Sequence, residues 1–234
     1  MSDALLSVRN LQAWYDESQA LFGVDLDVRE GEVVTLVGRN GVGKTTTLKS
    51  IMGMLSGAKG SVKFRGMEIL GLPSHKIARL GIGFVPEERG IFSALTVREN
   101  LMLPPIIGEG GWSIDRIYKL FPILDERKNS IGTKLSGGEQ QMLAIARILR
   151  SGARLVLMDE PTEGLAPVIV NAIRDLVRDM KRDGITVLLV EQNLRFATKV
   201  SDRHYLMVHG KIVETLSNEE VVHREGELLA HLGV

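Results

Sequence analysis

The stretch Gly38 to Thr45, GRNGVGKT, constrains this chain more than any other. It follows EVVTLVG, a continuous apolar run that reads as a strand buried on both faces, and it leads into KTTTLKSIMGML, which reads as a helix. Strand, glycine loop and helix in this order fit G-x-x-x-x-G-K-[ST], in which the glycines let the backbone turn its N–H groups toward phosphate oxygens. The helix N-terminus adds its dipole at the same point. Lys44 sets a fixed charge beside the β- and γ-phosphates, and the Thr45 hydroxyl is available to Mg²⁺. The nucleotide-binding residues are therefore expected to be Gly38, Arg39, Asn40, Gly41, Val42, Gly43, Lys44, Thr45 and Thr46.

The rest of the chain alternates strand and helix patterns, which argues for an α/β fold with a mostly parallel sheet covered on both faces. LLSVRNLQAWY, LFGVDLDVRE, SVKFRGMEI, IGFVP, RLVLMDE and TVLLVEQ read as strands, and SHKIARLG as a short helix with a Ser cap. HYLMVHGKIVETL reads as a hairpin turning at His209-Gly210-Lys211. The N-terminal strands and this hairpin suggest an antiparallel β part beside the parallel sheet. Between Thr96 and Lys134 no strand pattern appears. TVRENLML opens with a Thr cap and Glu99 three residues on, SIDRIYKLFPIL has helical spacing, and EQQMLAIARILRSG is an amphipathic helix closing on glycine. Residues 96–153 are thus expected to form a helical subdomain inserted between 1–95 and 154–234, the whole being one domain. PVIVNAIRDLVRDMKRDG is a further helix, with Pro at its start and Gly after its end. The C-terminal stretch is helical from Ser217 or Asn218.

LVLMDEP leaves Asp159 and Glu160 where a buried strand exits the sheet, the edge at which α/β folds bind ligands. Asp159 is placed to hold Mg²⁺ directly or through water, and Glu160 to deprotonate an attacking water as general base. A second anion-binding pattern lies about ninety residues after the first, in LSGGEQQ (Leu135 to Gln141). Taken alone, its Ser136 is a helix cap.

The glycine loop, LSGGEQQ and LVLMDEPT at short spacing together resemble the nucleotide-binding subunits of ABC transporters, and the resemblance covers essentially the whole chain. It implies a P-loop NTPase fold that binds ATP and Mg²⁺ and hydrolyses ATP. It also implies that two subunits pair head to tail, so that Leu135, Ser136, Gly137, Gly138, Glu139 and Gln140 of one chain close over the nucleotide held by the other. Tyr15 stands where the family has the aromatic that stacks on adenine, with Trp14 as the alternative. Glu87 stands where the family usually has a Gln that reaches Mg²⁺ and contacts the membrane partner. Gln192 stands where it usually has a switch His, and an amide can hydrogen-bond a phosphate but cannot become a cation. Ala166 replaces a frequent Asp after DEPT. These departures narrow the resemblance to the ATPases of bacterial branched-chain amino-acid importers, with urea and short-chain amide importers as the runner-up. The implied partners are a second ATPase subunit, permease subunits and, indirectly, a periplasmic solute-binding protein.

Composition limits the alternatives. Lys+Arg and Asp+Glu are both 29, so no overall field favours nucleic acid. With no cysteine, thiol catalysis and cysteine-bound zinc are excluded. The N-terminus lacks the apolar core of a signal peptide, and no apolar run approaches the roughly 18 residues of a membrane span, so the chain is not expected to cross a membrane by itself; the resemblance implies a peripheral place on the cytoplasmic face of a bacterial inner membrane. A soluble ABC protein of repair or translation would carry insertions or a second cassette, and a non-catalytic module would not need Lys44 and Glu160. The histidines (His75, His204, His209, His223 and His231) are expected at the surface or in packing.

Overall fold

The computed structural model describes residues 4–232. Two sheets divide its strands. β1 (Leu6–Tyr15) and β2 (Ser18–Val28) pair antiparallel, and β4 (Gly57–Phe64) and β5 (Met67–Glu68) complete a four-stranded sheet in the order β2-β1-β4-β5. SVKFRGMEI, expected as one strand, is split because Arg65 and Gly66 turn the chain with φ of 49° and 77°. The second sheet holds β3 (Val33–Val37), β6 (Ile82–Val85), β7 (Leu155–Asp159), β8 (Thr186–Glu191), β9 (Arg203–Val208) and β10 (Lys211–Ser217). Its order is β10-β9-β3-β8-β7-β6, and every pair is parallel except β9 with β10. The hairpin at His209-Gly210 therefore extends the main sheet instead of the antiparallel one, because β9 is captured by parallel pairing with β3. Every residue of β3, β7 and β8 is buried, in keeping with the apolar residues that make up most of each strand.

Alternation along the strands builds a core on each side of the main sheet. Leu155, Leu157, Leu188 and Val190 pack with the antiparallel sheet and with α1 (Lys44–Ile51). Val156, Met158, Val187 and Leu189 pack on the opposite side with α6 (Gly137–Ser151) and α7 (Pro167–Arg182). On that second side lie α3 (Val97–Met102), α4 (Ile114–Leu120) and α5 (Pro122–Glu126), with no strand among them beyond an isolated bridge between Thr96 and Ile131. SIDRIYKLFPIL is two helices because Pro122 cannot donate a backbone hydrogen bond into a continuing turn. α2 (Ser74–Arg79) is capped at Pro73 without a side-chain bond, so Ser74 is its first residue and not its cap. α8 (Leu194–Val200), α9 (Asn218–His223, capped by Ser217) and α10 (Glu225–Leu232) finish the chain. Among the described residues no helix is long and apolar enough to cross a membrane.

One buried amide pins the segment that connects the sheet to these helices. Asn100 is fully buried; its Oδ1 accepts the Phe92 N–H at 2.9 Å, and its Nδ2 donates to the carbonyls of Phe92, Leu95 and Thr96 at 3.2, 3.1 and 3.0 Å. The Thr96–Glu99 capping box closes the same turn. Asn100→Ala strands several buried backbone groups, so urea unfolding should show a loss of about 2–4 kcal/mol. A loss below about 0.5 kcal/mol would mean that the turn is held by other contacts.

Candidate functional site

The loop after β3 turns tightly under β9 and β2. A Cβ on Gly38 would meet the Met207 carbonyl at 2.6 Å, and Gly43, with φ 111°, would meet Leu21 at 2.7 Å. The backbone contact at Gly38 and the left-handed φ at Gly43 each call for glycine. Lys44, the first residue of α1, folds back through this loop and is 3% exposed. Its Nζ donates to the Gly38 carbonyl at 2.8 Å, the Arg39 carbonyl at 3.0 Å and Asn40 Oδ1 at 3.4 Å, and pairs with Glu160 Oε1 at 3.0 Å. One residue on, Thr45 Oγ1 donates to Asp159 Oδ1 at 3.0 Å. Two successive residues of α1 are thus tied to two successive residues at the end of β7. Glu160 adopts φ 44°, a left-handed conformation uncommon for a residue with a side chain. Burial pushes the Asp159 carboxyl up to about 6; the Thr45 hydroxyl opposes this, and the charges of Glu160 and Glu87 add to it.

These groups border a cleft of about 820 Å³. Asn40, Gly41, Val42, Gly43, Lys44, Thr45, Thr46, Glu87 and Glu160 line it, and so does Tyr15. Gly38 and Arg39 stand outside the lining and contribute their carbonyls to Lys44. Tyr15 is 45% exposed with its hydroxyl 3.5 Å from Thr46 Oγ1, whereas the Trp14 ring faces Lys59 away from the cleft. Four lining side chains had no local signal in the sequence: Gln19 and Phe22 on β2, Glu163 after β7, and His209 in the hairpin turn. Glu163 is held above the usual carboxylate range first by its hydrogen bond with the Glu160 carboxyl. His204 is instead a buried packing residue, 3.0 Å from Asn218 Oδ1. His75 and His223 are at the surface, and the His231 side chain lies outside the described residues.

Gln192 does not border this cleft. It lines a neighbouring one of about 660 Å³ that shares Glu160 and Glu163 and includes Thr162, Glu191 and Asn193. The signature residues stand apart from both. Leu135 is buried in the helical core, and its carbonyl accepts from Gln140 Nε2 at 2.9 Å. Ser136 caps α6, with Glu139 Oε2 accepting the Ser136 N–H at 2.7 Å in return. Gly137 lies under the Arg89 guanidinium and Gly138 against Ile169. The local capping role is real, and the positive end of a 15-residue helix lies beside an exposed Ser136.

Thr45, Asp159 and Glu87 supply hard oxygen donors of the kind Mg²⁺ takes. The raising of Asp159 by the charges of Glu160 and Glu87 fits a cation, since a positive charge among them would relieve it. Glu87 is exposed at the rim, and among the described residues no cluster of three or more His, Asp or Glu forms a self-sufficient metal cage. A divalent ion here would have to share its coordination with phosphate and water.

A parallel sheet covered on both faces, with a glycine loop over the end of one strand, defines a P-loop NTPase of the ABC ATPase type. The family model described as ABC transporter matches residues 21–163, and the chain belongs to that family as an ATP-binding ATPase subunit. The chain is 44% identical over 218 residues to the high-affinity branched-chain amino acid transport ATP-binding protein BraG of Pseudomonas aeruginosa, covering 89% of this chain and 91% of the relative. It is 39% identical to a probable branched-chain amino acid transport ATP-binding protein, LivF, of Archaeoglobus fulgidus, over 96% of this chain and 98% of that one. The lipopolysaccharide export system ATP-binding protein LptB of Haemophilus influenzae is 34% identical, with 98% of both chains covered. Among solved structures, a nucleotide-free ATP-binding cassette from an ABC transporter superposes with a TM-score of 0.82 at 26% identity, covering 99% of both chains. The dimeric structure of a bacterial ABC transporter cassette superposes with a TM-score of 0.80 at 27% identity, over 91% of this chain and 98% of that one.

The Asp159 environment sets a pH dependence. With its carboxyl near 6 folded and near 3.8 unfolded, the folded chain binds more protons between those values, so stability falls as pH rises through that window. Asp159→Asn removes the cost. Urea unfolding without Mg²⁺ should show the variant more stable than wild type by on the order of 2 kcal/mol at about pH 7.5, and the gap should close near pH 4. A gap independent of pH would contradict the assignment.

Proposed function

We propose that this chain is the ATP-hydrolysing subunit of a bacterial importer of branched-chain amino acids, and that ATP-driven pairing of two such subunits powers a membrane permease. The observation that carries the chemistry is the 3.0 Å pair between Lys44 and Glu160 across the loop. A buried ammonium needs an anionic partner, and a γ-phosphate competes with Glu160 for it. When Lys44 turns to phosphate, the Glu160 carboxylate is released to accept a proton from the attacking water. Backbone N–H groups from Asn40 to Thr46 and the α1 dipole cradle the phosphates, and Tyr15 offers its ring to the base. Thr45 and Asp159, with Glu87 at the rim, would hold Mg²⁺, which would neutralise charge at the phosphates when bound. Gln192 takes the sensor position through its amide.

The signature residues stand outside their own chain's clefts, which supports a head-to-tail dimer in which Ser136 and Gly138 of one chain complete the other's site. In the segment that follows Glu87, Phe92, Met102, Leu103 and Ile106 expose apolar side chains suited to a permease segment. Docked there, the chain sits peripherally on the cytoplasmic face of the inner membrane and serves a solute-binding protein indirectly. Likeness to BraG and LivF favours amino acids over urea or short-chain amides. Likeness to LptB supports a second reading, an export ATPase.

Glu160→Gln should bind ATP as wild type does, lose turnover by about a hundredfold or more, and accumulate closed dimer on a sizing column with ATP. Lys44→Ala should lose nucleotide binding in an equilibrium titration. Near-normal turnover by Glu160→Gln would remove Glu160 as the base. Reconstitution with the permease distinguishes import from export.

A further inference from the structure

Glu191 ends β8 and is only 2% exposed, although Val187, Leu188, Leu189 and Val190 before it are all apolar. Its Oε1 accepts the Thr162 hydroxyl at 2.8 Å, and its Oε2 accepts the backbone N–H of Asn193 at 3.2 Å. Neither donor is charged, and no salt bridge reaches Glu191 among the described residues. Burial pushes its carboxyl up to about 7, against the pull of Thr162 and Asn193. A carboxyl kept there without a counter-ion is a costly way to fill space, and an apolar side chain would pack at less expense.

What the carboxyl joins is informative. Thr162, itself 6% exposed, lies two residues after Glu160 on the loop leaving β7. Asn193 lies directly after Gln192 on the loop leaving β8 and caps α8 through Phe196 N–H at 3.0 Å. Glu160 itself is anchored on its other side, its N–H donating to the Val190 carbonyl at 3.0 Å. The left-handed turn at Glu160 is thus gripped before and after by the end of β8.

We infer that Glu191 is a positioning residue for ATP hydrolysis: its two oxygens clamp the loop carrying Glu160 to the loop carrying Gln192, fixing the distance between base and sensor. This rests on the function proposed above for Glu160 and Gln192. It also fits a chain in which the sensor is a neutral amide, because an amide has no charge to draw it toward phosphate and must be held in place.

Three single variants and one double variant test the clamp, by kinetics, ATP binding and hydrogen exchange. In Glu191→Gln one oxygen can still accept from Thr162, but the new NH₂ faces the Asn193 N–H, donor against donor. Thr162→Val removes the other bond. Each should lower kcat about tenfold while KM and the ATP Kd stay within about twofold, and the double variant should be no worse than either single one. Thr162→Ser keeps the hydroxyl and should stay within about twofold of wild type. Hydrogen exchange should quicken together at the Asn193 amide and at Glu163-Gly164 in Glu191→Gln. Additive losses in kcat, or equal losses in KM and Kd, would overturn the inference, as would unchanged exchange or faster exchange with wild-type kcat. A wild-type chain that hydrolyses no ATP would instead remove the proposed function, and the exchange measurement would still decide whether the clamp exists.

Discussion

The Lys44 ammonium is the constraint on which this structure turns. A cation 3% exposed must be neutralised and hydrogen-bonded where it lies. The loop supplies two carbonyls and an amide oxygen, and the end of β7 supplies Glu160. That demand brings the first turn of α1 and the exit of β7 together and, with the adjacent Thr45–Asp159 bond, sets the floor of the cleft. It also explains why acids accumulate there. The charges of Glu160 and Glu87 raise the carboxyls of Asp159 and Glu163, an arrangement that is costly for stability and suited to a site that receives a cation and a polyphosphate.

The start of α6 obeys different physics. α6 satisfies its own first turn through the Ser136–Glu139 capping box, so the helix has no internal need for a ligand. Its glycines are explained by neighbours, Gly138 by Ile169 and Gly137 by Arg89. Its cap Ser136 is exposed, and none of its first residues lines the cleft of its own chain. In the proposed dimer that geometry becomes useful, because the dipole and backbone N–H groups would face a phosphate carried by another copy.

Much of this was legible in the sequence, and the misses have physical causes. The glycine loop, the buried β3, β7 and β8 and the long helices α6 and α7 follow from local spacing. The Thr96 and Ser136 caps were readable because a capping box is encoded within four residues. The hairpin at His209 was harder to assign. An antiparallel turn looks the same whichever sheet it joins, and the parallel pairing of β9 with β3 spans about 170 residues. The same limit hid Gln19, Phe22, Glu163 and His209, which reach the cleft from three separate segments. Gln192 was legible by family pattern, but its placement in a neighbouring cleft and the burial of Glu191 beside it depend on how two loops pack at the sheet edge.

In the proposed dimer one chain's signature completes another chain's nucleotide site. The chain contains no cysteine, so introduced thiols report without background. Chains carrying Arg39→Cys and chains carrying Ser136→Cys, both with Glu160→Gln to hold the closed state, can be mixed and treated with a short thiol crosslinker. The account predicts a mixed dimer joined between positions 39 and 136 that forms with ATP and Mg²⁺ and not without them. Absence of that crosslink with ATP bound, or its formation regardless of ATP, would contradict it.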